Sequence, residues 1–96
     1  MFGLFKSSTP ESRLSADVKK SLQQEITVIL RETGNNEFLA GFAIEAGISS
    51  VYKAYIDNAV LLSKGHGLTF EKTISIIKKS TNEIRNKYLV NPEPIK

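Results

Sequence analysis

Apolar residues recur along this chain in steps of three and four and show no strand-like alternation, so the pattern predicts helices between a short arm and a short tail. In the first stretch Leu14, Val18, Leu22, Ile26, Ile29 and Leu30 form one stripe, and Gly34-Asn35-Asn36 supplies a left-handed stop beyond it. Two starts are available. Thr9-Pro10-Glu11 offers a capping hydroxyl, a proline suited to the first helical position and an acid near the positive end; Ser15-Ala16-Asp17 offers a second. The expected helix runs from about Ala16 to Thr33, with residues 1–14 as a flexible arm.

The second helix is expected from near Asn36 to Ser63, ahead of Gly65-His66-Gly67. Between Phe38 and Ser63 only Glu45, Lys53 and Asp57 are charged, and apolar residues wrap most of the helical wheel. Two seams emerge. Ala40, Ala43, Gly47, Ser50 and Ala54 form a smooth face of small residues that lets backbones approach, and Ile44, Ile48, Val51, Tyr55 and Leu62 form a bulky face beside it. The third helix starts at Thr69, whose hydroxyl can cap it, and carries Phe70, Ile74, Ile77, Thr81, Ile84 and Tyr88 on one stripe, with Glu83 and Lys87 placed to pair one turn apart. Asn91-Pro92-Glu93-Pro94 ends it, since proline cannot donate and restricts its predecessor.

The fold class is therefore all-α: an antiparallel three-helix bundle over residues 15–90 with a long central helix and a C-terminal tail at 91–96. A break near Gly47 would turn it into a four-helix arrangement. Continuous from 38 to 63, the central helix would span about 39 Å, and its apolar arc exceeds the stripe of roughly 100° that a surface helix shows. Two neighbours leave part of it wet. The expectation is a homodimer whose interface uses Phe38, Ala40, Phe42, Ala43, Gly47, Ser50, Ala54, Ile56 and Val60.

Length and composition narrow the chemistry. The 96 residues fit one domain, and with no cysteine neither disulfides nor thiolate metal sites are available, so a reducing, cytoplasmic location is the default. Met1-Phe-Gly-Leu-Phe-Lys6 lacks the leading charge and long apolar core of a secretory signal, and the acids and lysine of the central segment interrupt any transmembrane run. His66 has no second histidine or cysteine to share a metal with, and the glycines around it match neither phosphate-binding nor dinucleotide spacing. Glu37, Glu45 and Asp57 stand two or more turns apart, too far to work as a catalytic pair. No enzyme, cofactor or metal is expected.

Two features point to binding. From Thr69 to Val90 five cations against two acids leave +3, equal to the net charge of the whole chain, so Lys72, Lys78, Lys79 and Arg85 are candidate contacts for a polyanion or an acidic partner. The cluster Phe2, Leu4, Phe5 could enter a partner's groove or a membrane surface, or fold back on the bundle end.

The segment Ala43-Ile-Glu-Ala-Gly47-Ile-Ser-Ser-Val-Tyr-Lys-Ala54 resembles the helix-turn-helix DNA-binding pattern at Ala43, Gly47, Ile48 and Ser49. That resemblance implies a turn at Gly47 and base readout from residues 43–56. It departs at Lys53, where the family places an apolar residue to lock its two helices, and Val51, Tyr52 and Tyr55 are poor base readers. The leading expectation is a non-catalytic helical module acting through self-association and an unidentified protein partner. The alternatives are a DNA-binding regulator, with nucleic acid as partner, and a small inhibitor or immunity-type protein that sequesters a toxin or enzyme.

Overall fold

A computed structural model describes residues 9–34 and 36–96, without the side chains of Glu37 and Phe38; the Phe2, Leu4, Phe5 cluster lies outside the described residues. Four helices and no strand occur among the described residues: α1 (Pro10–Thr33), α2 (Glu37–Asp57), α3 (Ala59–His66) and α4 (Phe70–Tyr88).

The start of α1 corrects the expected boundary. Thr9 accepts from the Ser12 backbone N–H at 3.0 Å while the Ser12 hydroxyl accepts from the Thr9 N–H at 3.0 Å, a reciprocal capping box ahead of Pro10. Leu14 is fully buried, so the extra turn is held by packing as well as by its cap, and residues 10–14 belong to the bundle rather than to an arm. Thr9→Ala should cost about 1 kcal/mol, the usual worth of a capping hydroxyl. Urea denaturation checks this, and an unchanged midpoint would mean that the first turn is not held by its cap.

The central segment also departs from expectation. α2 passes through Gly47 without a break and stops at Asp57, about 32 Å from its start. A glycine inside a helix costs about 1 kcal/mol, less than burying the flanking Ile44 and Ile48 provides. The break falls instead at Asn58 (φ −104°, ψ 14°), whose backbone N–H and side-chain amide both donate to the Ala54 carbonyl, at 3.2 and 2.8 Å. Asparagine competes in this way for helical acceptors, so α2 ends here and the short α3 begins at Ala59. Gly67 (φ +68°) then closes α3 in the left-handed conformation, its N–H reaching the Lys64 carbonyl. Thr69 caps α4 by accepting from Lys72 N–H at 3.1 Å.

The core joins all four helices through Leu14, Val18, Leu22 and Ile26, Ile44 and Ile48, Ala59, and Ile77 and Ile84. Pairings between α1 and α2 run in opposite senses, Ser21 to Tyr55 and Ile29 to Gly47. Those between α1 and α4 run in the same sense, Ser15 to Ser80 and Lys19 to Glu83.

The buried face of α4 is wider than the expected stripe, of which Ile77, Thr81 and Ile84 are buried and Ile74 and Tyr88 pack half-buried against the core. Thr73, Ser80 and Thr81 are buried while Phe70 turns outward. These hydroxyls carry their own partners inward: Thr73 donates to the Thr69 carbonyl, Thr81 to that of Ile77, and Ser80 shares a 2.8 Å bond with Ser15. A hydroxyl satisfied on its own helix can be buried at little cost.

Candidate functional site

The structure divides the residues singled out for self-association into two sets. Ala40 and Gly47 are buried, Ala43 and Ile56 pack half-buried against the core, and Phe42, Ser50, Ala54 and Val60 face solvent. The small-residue seam is therefore corrected in part: its Gly47 serves a contact within the chain. A Cβ at that position would lie 2.5 Å from Ile29 Cδ1 and 3.1 Å from Glu25 Cγ, so α1 sits directly on the glycine. Phe38's side chain lies outside the description.

What remains outward on α2 is a second stripe. Leu39, Phe42, Ala46, Ser49, Ser50 and Lys53 follow one another at helical spacing and are all exposed. Phe42 keeps 66% of its surface in solvent and Leu39 53%. Toward the C-terminal end the stripe turns polar at the Lys53–Asp57 ion pair of 3.0 Å. On α3, Val60 and Leu61 are also exposed.

Residues 43–56 lie on a single unbroken helix, so the turn that the helix-turn-helix resemblance requires at Gly47 does not form.

The four candidate cations of α4, Lys72, Lys78, Lys79 and Arg85, also separate. Arg85 is corrected from a surface contact to a buried brace with 8% exposure. Its Nη1 meets Glu45 Oε1 at 2.6 Å and its Nη2 donates to the Glu93 carbonyl at 2.9 Å, so it links α2, α4 and the tail. Nε is buried and has no hydrogen-bond partner among the described residues. Asn82 completes the tether with two bonds to the backbone of Ile95, at 2.8 and 3.1 Å. Residues 91–96 thus fold back on α4. Glu83 pairs with Lys19 at 2.7 Å instead of with Lys87, which lies over the Tyr88 ring.

Lys72 and Lys79 are exposed and Lys78 is half-buried; none enters an ion pair among the described residues. Beside them Phe70, Glu71, Ile74, Ser75, Lys78 and Lys79 line a groove of ≈ 580 Å³. The sequence pattern placed Phe70 in the core stripe and so missed this groove; Ile74 packs half-buried against the core as expected and lines the groove with its remaining surface. The signal available was Thr73 and Ser80, which widen the buried face beside Ile77, Thr81 and Ile84 once a buried hydroxyl is counted as able to find a carbonyl on its own helix or a hydroxyl on its neighbour.

His66 is half-buried in the last turn of α3, next to the helix C-terminus. Burial pushes the Tyr52 phenol above its usual 10.0. Because the folded form holds the neutral phenol, any stability this contributes is complete below pH 10 and is lost as pH rises toward the shifted value. Among the described residues, no three histidines or acids cluster as metal ligands, and no helix is long and apolar enough to cross a membrane. No protein-family model, curated protein or solved structure matches this chain.

Proposed function

We propose that this chain is a non-catalytic helical interaction module that pairs with a second copy of itself through the outer face of α2 and presents its other faces to a protein partner. In this reading the three long helices form an antiparallel bundle, with α3 as a short link between α2 and α4. The observation that carries the pairing is the exposure of Leu39 and Phe42 on one stripe of a helix. Fully burying such side chains contributes about 1.5–3 kcal/mol each relative to leaving them in water. In a two-fold arrangement each exposed side chain acts twice, so this stripe supplies four large apolar groups to one interface. Ala46 and Ser50 on the same stripe are small enough to let two α2 helices approach closely.

Sedimentation equilibrium at tens of micromolar should give twice the chain mass of 10.6 kDa. Phe42→Glu together with Leu39→Glu should return it to a single chain without loss of helix content, because both positions are exposed in the isolated fold. Burying unpaired acids at the interface costs several kcal/mol, so the association should weaken by at least about 100-fold. A parent chain that sediments as a monomer at that concentration removes the pairing.

A further inference from the structure

We propose that the outer face of the N-terminal half of α4 is a docking groove for an acidic amphipathic helix of a partner protein. This rests on reading the chain as an interaction module but not on its pairing through α2.

The groove combines two chemistries in register. Phe70, with 47% of its surface exposed, and Ile74 stand one helical turn apart and form an apolar row; Lys78 continues that row by another turn. Parallel to it run Lys72, Ser75 and Lys79, at spacings of three and four. On the far side of Ser75 and Lys79 lies a second groove of ≈ 400 Å³, walled by the first turns of α1 and by Lys72. Lys78 and Lys79 thus flank an apolar floor, against Glu71 within the groove, while Lys72 stands in the second groove with Glu11. Glu83, at the edge of the second groove, is already engaged by Lys19 at 2.7 Å. The positive end of the α4 dipole adds to the field at Phe70.

Charge and shape together select the occupant. A nucleic-acid backbone would satisfy the lysines and leave Phe70 wet, and among the described residues no aromatic row stands beside them to stack on bases. The chain's own apolar segment, Phe2 to Lys6, contains a lysine and no acid, so it does not complement the rim. A helix with apolar residues at i, i+4 and i+7 and glutamates flanking them covers Phe70 and the open part of Ile74 and places carboxylates beside Lys78 and Lys79. The cationic rim also speeds encounter with such a segment and makes it salt-sensitive.

The test uses the full chain and three labelled peptides of equal length, followed by fluorescence anisotropy. One is an alanine-based helix with a leucine stripe flanked by glutamates, the second has lysine for every glutamate, and the third keeps the first composition in scrambled order. The glutamate helix should bind at least tenfold more tightly than the other two. Phe70→Ser should weaken it at least tenfold with the thermal midpoint unchanged, and Lys78→Glu with Lys79→Glu should invert the preference toward the lysine helix. Equal binding of the ordered and scrambled glutamate peptides overturns the proposal, as does no binding of either. Binding to phosphatidylserine–phosphatidylcholine vesicles without binding to the glutamate helix also overturns it, and makes the patch a lipid contact. Sedimentation mass, read in parallel, reports the α2 pairing independently, so the failure of one is not mistaken for the failure of the other.

Discussion

Ile77→Asp should abolish the fold. Ile77 is fully buried in α4 within the core that also contains Leu14, Val18, Leu22 and Ile26 of α1 and Ile48 of α2. The one basic side chain buried on α4, Arg85, is two turns away and already bonded to Glu45 and the Glu93 carbonyl. A carboxylate at 77 would have neither water nor a counter-charge. Its burial costs several kcal/mol on top of the lost isoleucine contacts. A domain of this size has on the order of 5–15 kcal/mol in total, and small cores lie toward the lower end. The expected result is a far-UV circular dichroism spectrum without helical minima at 25 °C and no sigmoidal thermal transition. Ile77→Ala, which leaves a cavity without a charge, should stay folded with about 2–5 kcal/mol less stability. A cooperative melt of Ile77→Asp close to the parent's would place residue 77 outside the core.

Gly47→Leu should destabilise each chain separately. The ideal Cβ already approaches Ile29 Cδ1 to 2.5 Å and Glu25 Cγ to 3.1 Å, and leucine adds three carbons beyond it. Moving the Ile29 terminal methyl can accommodate a single carbon, and alanine also gains about 1 kcal/mol in helix propensity, so Gly47→Ala should stay within about 1 kcal/mol of the parent. Leucine forces α1 and α2 apart, and overpacking of this kind costs typically about 1–3 kcal/mol. Urea midpoints should fall for leucine by the same amount at low and high protein concentration, because the crowded contact is internal. A loss that disappears on dilution would relocate Gly47 to an interface between chains.

The two residues illustrate what can be read from a one-dimensional pattern. Ile77 belongs to the core by periodicity alone, as do Leu14, Val18, Leu22, Ile44 and Ile48. Gly47 was recognisable as a point of close helix approach, since small residues at helical spacing have that use. Whether the approaching helix belonged to the same chain was not, because both cases leave an identical imprint on α2. The break at Asn58 was missed for a related reason: glycine is the stronger propensity signal, while asparagine ends a helix only where its side chain finds a carbonyl, here that of Ala54.

By itself the sequence determined the helical class, the Thr69 start, the availability of a Thr9 cap, and the amphipathic faces of the first and last helices. Those depend on interactions within one or two turns, which residue order specifies. Only the tertiary structure decided that α1 covers Gly47, that Arg85 turns inward to meet Glu45 forty residues away, and that Phe70 is left beside lysines on the surface. Each depends on which helix faces which. That choice minimises exposed apolar area over the whole chain at once, so no local window contains it.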